Sequence, residues 1–189
     1  MNKKKYKKRK LTRSYLLAIT YRYLERYATT EVNLKNVLIR KIERIIDKNE
    51  DYEETRHQGV IWIDEIIIQC VKNKLIDDRQ YALSRANSFF LSGNSVNIVK
   101  NKLRSKGVPP VIIKSVLTEI YGNKPAIDII SCIKYAKRRR FGAYRIKEKL
   151  ENTTKKEIAA MARAGFSYED TRKVLNSTVI ELEEILYND

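Results

Sequence analysis

The sequence predicts an all-α protein, built as tandem three-helix repeats that form an elongated curved array. Three observations carry this reading. Apolar residues recur at helical steps along most of the chain. Only three Pro and six Gly occur in 189 residues, too few for the tight turns of an all-β chain. One spacing is also used twice: "LRSKGVPPVIIKSVL" (103–117) and "MARAGFSYEDTRKVL" (161–175) align Gly107 with Gly165, and each ends on Val-Leu. Further back, Thr30–Ile42 overlays Ser95–Gly107, with Lys35, Asn36, Leu38 and Lys41 on Lys100, Asn101, Leu103 and Lys106. A lone unit of this size hardly buries its own apolar stripe, and stacking units in a row solves that problem.

The elements follow in order. In 1–13, a run from Lys3 to Lys10 is cationic at nearly every position. Such residues repel one another and bury nothing, so this tail is expected to be disordered, or ordered only on a polyanion. Residues 14–28 carry Leu16, Leu17 and Leu24 at helical spacing. Thr29 and Thr30 are suited to cap the next helix, whose faces are set by Leu34, Val37, Leu38, Lys41 and Ile45. Residues 47–59, "DKNEDYEETRHQG", lose the apolar period and read as a polar extension or a loop. "VIWIDEIIIQCVKNKLIDD" regains it through Trp62, Ile66, Ile67, Cys70 and Val71. Its β-branched density makes a strand a local rival, but length and period favour a helix.

Asp77 and Asp78 precede the stripe Ala82, Ala86, Phe89 and Phe90. Paired carboxylates at a first turn accept orphan N–H groups and meet the positive end of the helix dipole, so capping is their expected role. Gly93 turns the chain, and Val96, Val99 and Leu103 make the next stripe. Gly107 stops that helix in the left-handed region. Pro109 and Pro110 suit the first turn of a helix burying Ile113, Val116, Leu117 and Ile120. "AIDIISCIKYAKRRR" is the next helix, and "FGAYRIKEKLENTT" is a basic connection with room for a helical stretch over 144–150. Thr154 with Glu157, and Ser167 with Asp170, have the spacing of capping boxes. An acidic helix over 178–187 carries Glu181, Glu183 and Glu184, and is expected to pack back on the basic body. The resulting divisions are repeat 1 over 14–76 with a polar insertion at 43–60, repeat 2 over 77–123, and repeat 3 over 124–189 including the acidic helix.

Composition bounds the function. Hydrophobic residues make up 43% and charged residues 33%, enough for a core and mixed enough to argue against disorder. The net charge of +16 attracts polyanions, nucleic acid first among them. Two cysteines, Cys70 and Cys132, are too few for a disulfide scaffold and read as buried reduced thiols of a cytoplasmic protein. No apolar run is long enough to span a bilayer, and no signal-peptide core follows the basic start. There is no phosphate-binding loop, HExxH, GxSxG or CxxC pattern, and the single histidine, His57, lies in a charged stretch. An enzyme is therefore not expected, nor a metal or cofactor.

Three stretches in series, "LIDDRQYA" (75–82), "NKLRSKGVPPVIIKSVL" (101–117) and "RAGFSYEDTRKVL" (163–175), resemble the RecX family of regulatory proteins. The resemblance covers 75–176 well and 14–74 loosely. It implies a curved row of three-helix bundles that lodges in the groove of the RecA–single-stranded DNA filament and limits strand exchange, ATP turnover and co-protease activity, without catalysis of its own; the row design itself suggests a monomer. The candidate contacts are cationic. Lys100, Lys102, Arg104 and Lys106 flank one apolar stripe; Lys134, Lys137, Arg138, Arg139 and Arg140 end a helix; Arg145, Lys147 and Lys149 follow. A helix dipole accounts for one or two cations at a C-terminus, not for four in a row. Tyr135, Phe141 and Tyr144 interleave with them and are placed to stack on bases or to fill the core. The alternative is a stand-alone DNA-binding protein of helix-turn-helix type over 95–117, against which the second helix offers only Lys114 and Ser115 to read bases.

Overall fold

The computed structural model describes residues 10–46, 51–123, 126–148 and 150–187. The described residues form ten α-helices and one 3-10 turn, with no strand among them. They fall into two compact units, Met1–Tyr81 and Ala82–Asp189. No helix among the described residues is long and apolar enough to cross a membrane.

The first unit contains α1 (Arg13–Leu24), α2 (Glu31–Ile42), α3 (Tyr52–Lys72) and the first turn of α4 (Asp78–Leu91). Its core is aliphatic: Leu16 from α1, Leu34, Leu38 and Ile42 from α2, and Ile63, Ile66, Ile67 and Cys70 from α3. Order begins earlier than the composition predicts, because Leu11 is buried in this core and Thr12 Oγ1 accepts the Tyr15 N–H at 3.2 Å, capping α1. The expectation for Lys3 to Arg9 lies outside the described residues. Of the polar stretch at 43–60, residues 52–60 are the first turns of α3, and 47–50 lie outside the described residues. The helix holds there because Gly59 is buried against Leu11 and Ile42, and because Tyr52 and Arg56 both bond the Glu43 carboxylate. The α3 stripe is turned slightly from the one expected: Ile63 is buried, whereas Val71 is 37% exposed.

The second unit holds the rest of α4, α5 (Val96–Ser105), α6 (Pro110–Asn123), α7 (Ile127–Arg139), a 3-10 turn (Gly142–Tyr144), α8 (Thr153–Arg163), α9 (Tyr168–Asn176) and α10 (Val179–Tyr187). The overlay read from the sequence is kept in the folded chain. Thr30 and Ser95 are the N-caps of α2 and α5, and the aligned pairs Leu34/Val99 and Leu38/Leu103 are all buried. Gly107 and Gly165 end α5 and α8 at φ of 79° and 81°. In each case the next residue donates back to the helix: Val108 N to Leu103 O, and Phe166 N to Met161 O, both at 3.2 Å. Ser95 Oγ also donates to the Ala164 carbonyl at 2.6 Å, fastening the α5 start to the α8–α9 turn.

Two expectations in 141–157 are corrected. No α-helix forms among the described residues of 144–150; the chain makes a 3-10 turn at Gly142–Tyr144, and 145–148 are irregular. The left-handed Arg140 and Gly142, at φ of 58° and 56°, redirect it after α7, and a Cβ on Gly142 would stand 3.1 Å from Leu175 Cα. The Thr154–Glu157 capping box does not form. The N-cap is Asn152, and Glu157 faces inward to Arg145. Ser167 and Asp170 do cap α9, with the Asp170 N–H to Ser167 Oγ at 2.9 Å and Ser167 Oγ to Asp170 Oδ2 at 2.7 Å. Glu183 of α10 packs back on Lys137 and Tyr144, as its sign predicts.

Candidate nucleic-acid interface

The site is built on an internal carboxylate. Glu157 of α8 aligns with the core residues Val99 and Leu34 and is itself buried. A carboxylate there needs partners, since desolvating an unpaired charge is costly. They come from the chain just upstream. Arg145 donates from Nε to Glu157 Oε1 at 3.1 Å and from Nη2 to Oε2 at 2.7 Å, and the Gly142 N–H donates to Oε2 at 3.3 Å. This fork clamps 142–145 against α8.

The clamp shapes a groove. One wall is the exposed face of α8, with Thr153, Lys156, Ala160 and Arg163; the other is the end of α7 and the following turn, with Arg139, Arg140, Phe141 and Lys147. Arg139, Arg140, Lys147, Lys156 and Arg163 are all exposed. The Arg139 guanidinium lies 5.6 Å from the Phe141 ring centroid, a cation beside an aromatic face. Glu148 is the lining carboxylate besides Glu157, so the groove is strongly cationic.

A second cationic cleft lies between α5 and α6. Lys100, Arg104 and Lys114 rim it over Val96, Ile113 and Leu117.

The cations singled out from sequence therefore part company. Lys100 and Arg104 share the α5–α6 cleft; Arg139, Arg140 and Lys147 share the α8 groove. Arg145 lines that groove too, but its head is spent on Glu157. Lys102 turns away from Lys100, with Nζ 2.9 Å from Asn94 Oδ1 and 4.6 Å from the Phe89 centroid. Lys106, the C-cap of α5, is exposed as well. Lys137 pairs with Glu183 at 2.7 Å, and the Lys137 hydrogen bond, then that of Tyr144, hold the Glu183 carboxyl below its ordinary range. Burial, then the bond to Glu183, raises the Tyr144 phenol. Arg138 donates to the Ser92 carbonyl at 2.6 Å and covers the Tyr135 ring at 5.4 Å, closing the end of α4. Lys149 lies outside the described residues. Tyr135 packs against Phe166 and Phe141, so of the three interleaved aromatics Phe141 is the one at the groove.

Lys156 and Arg163 were not singled out from the sequence, and Lys114 only as a base-reading residue of the helix-turn-helix alternative. The signal was present in Lys156, Ala160 and Arg163, which share one helical face, but each cation alone reads as an ordinary solvated residue.

The site offers charge and little else. Among the described residues no group of His, Cys, Asp and Glu could hold a metal ion. Cys70 and Cys132 are free and buried, and burial pushes the Cys132 thiol up to about 12. A thiol so protonated is a poor nucleophile.

No protein-family model matches the chain. It is 32% identical over 170 residues to the regulatory protein RecX of Myxococcus xanthus, covering 89% of this chain and 88% of that relative. It is 31% identical over 164 residues to the regulatory protein RecX of Agrobacterium fabrum, covering 86% and 83%. Among solved structures it matches the crystal structure of RecX from Lactobacillus salivarius with a TM-score of 0.61 at 21% identity, over 90% of this chain and 96% of that one. That structural likeness establishes a shared all-helical repeat fold.

Proposed function

Because the chain belongs to the RecX family of regulatory proteins, we propose that it binds the RecA–single-stranded DNA filament and restrains the recombinase, with the α8 groove as its main anionic contact. The observation that carries this reading is the gathering of Arg139, Arg140, Lys147, Lys156 and Arg163 around Phe141. Cations on both walls suit a sugar–phosphate strand, and the half-buried ring of Phe141 beside them suits a base. Attraction alone favours any polyanion, so selectivity for the filament rests on recombinase subunits being contacted together with DNA. Bridging neighbouring subunits would hinder subunit exchange and entry of a duplex. In this reading the protein works in the cytoplasm, without a cofactor and without catalysis of its own.

The test is ATP turnover by the recombinase of the same organism on single-stranded DNA. The native protein is expected to slow turnover, and Arg139→Ala/Arg163→Ala to need about tenfold more protein for the same effect, as expected for loss of about 1.4 kcal/mol of binding. On a free single strand, losing two phosphate contacts should make the salt dependence of affinity shallower by about 1.4 log units per log unit of salt. Unchanged inhibition by the double variant would remove the groove from the account.

A second reading is favoured by the α5–α6 cleft, where Lys100, Arg104 and Lys114 gather. It makes the chain a stand-alone DNA-binding regulator. Sequence-specific binding to duplex DNA in the absence of recombinase, lost in Lys100→Ala/Lys114→Ala, would support it.

A further inference from the structure

The first unit carries a cleft between α1 and α2 whose chemistry differs from that of the α8 groove. Its floor is Ile19, Tyr23, Val37 and the buried Leu38; its rim is Arg22, Arg40, Lys41 and Arg44, all four exposed. No carboxylate lines it. Three other cations of this unit are matched by acids: Arg13 with Glu65 at 3.0 Å, Lys35 with Asp64 at 2.5 Å and Arg56 with Glu43 at 2.7 Å. The four rim cations have no such ion pair among the described residues, so uncompensated charge gathers around this apolar cleft.

The floor argues for a peptide rather than a nucleic acid. Ile19, Val37 and Leu38 are aliphatic and suit an inserted aliphatic or aromatic side chain. The single aromatic in the lining, Tyr23, is engaged: its ring packs against Tyr27 at 5.0 Å between centroids, and its hydroxyl accepts from Asn33 Nδ2 at 3.3 Å. It is therefore already engaged on one side, and the rest of the floor offers no ring on which a base could stack. We propose that this cleft is a docking site for an acidic peptide segment of a partner protein, one that inserts an apolar anchor between α1 and α2 while its carboxylates meet Arg22, Arg40, Lys41 and Arg44. This is a second site with its own ligand class, and it stands whether or not the α8 groove holds a filament.

The test is fluorescence anisotropy on the full chain with three labelled probes: a peptide in which Asp and Glu surround a Leu-x-x-Phe pair, the same peptide with both anchors changed to Ala, and oligothymidylate. The first peptide is expected to bind the native protein. It should lose at least about tenfold in affinity to Arg40→Gln/Arg44→Gln, and the Ala peptide should lose as much on the native chain, because two anchors then fail to leave water. Oligothymidylate should not displace the first peptide at concentrations that saturate the chain. Equal binding of both peptides would reduce the cleft to general charge attraction and overturn the proposal. Undiminished binding to the double variant, or ready displacement by oligothymidylate, would overturn it as well. All four substituted or retained rim residues are solvent-exposed, and equal thermal midpoints of native and variant chains verify that the fold is intact.

Discussion

Asp78 is the residue where local and distant demands meet. Its neighbour Asp77 caps α4 as the sequence predicts, with the Gln80 N–H to Oδ1 at 2.8 Å. Asp78 instead reaches across to cap α2, accepting the Glu31 N–H at 2.9 Å while buried. Burial pushes its carboxyl above the ordinary range; the Glu31 bond pulls part of that back, and the Asp77 charge adds to it. A raised carboxyl binds its proton more tightly in the folded state than in the unfolded chain. Its stabilising contribution is therefore complete below the unfolded pKa and is lost as pH rises through the folded one. Asp78→Asn keeps an acceptor oxygen and removes the charge, so its thermal midpoint at neutral pH should equal or exceed the native value, and its advantage should shrink on acidification. Asp78→Ala loses the cap and should cost about 1 kcal/mol in urea unfolding. A neutral-pH midpoint for the Asn variant as low as that of the Ala variant would contradict this. The sequence showed that an aspartate pair caps helices, because capping is local chemistry. It did not show which helix, because Glu31 lies 47 positions away.

At the scale of elements, what was legible divides along the same line. Thr30, Ser95, Ser167, Gly107 and Gly165 start and stop helices through bonds to near neighbours, and all five were readable. Glu157 was not, because a capping box and a buried ion pair share one sequence pattern, a Thr three residues before a Glu. Only its alignment with Val99 and Leu34 marks it as a core position. Likewise Lys137 and Arg138 read as part of a free cationic run, while their partners Glu183 and Ser92 are each 46 positions distant. The clamp yields a prediction. Glu157→Leu alone strands Arg145 and the Gly142 N–H, and should cost about 3 kcal/mol in urea unfolding. Arg145→Met/Glu157→Leu should recover to within about 1 kcal/mol of native, since an apolar pair can replace a buried ion pair. The double variant frees 141–148 from α8, so its affinity for oligothymidylate should fall about tenfold although its stability returns. Native affinity in that variant would show that the clamp does not shape the groove.

The whole molecule combines an aliphatic repeat framework with a net charge of +16. The framework was legible because helical period, caps and repeat spacing agree with one another. The placement of the charge was not, because exposure of a lysine or arginine is decided by which acid or carbonyl the fold brings to it. Lys102, Lys137, Arg138 and Arg145 are spent on contacts within the second unit, whereas Arg139, Arg140, Lys147, Lys156 and Arg163 remain turned to a shared groove. The most direct test of the central claim is helical reconstruction from electron micrographs of recombinase–single-stranded DNA filaments, with and without this protein. Added density within the filament groove, with the α8 face toward the nucleoprotein and absent for Arg139→Glu/Arg163→Glu, is the result the account predicts. Filaments unchanged at saturating protein, or density that persists with the reversed charges, would contradict it.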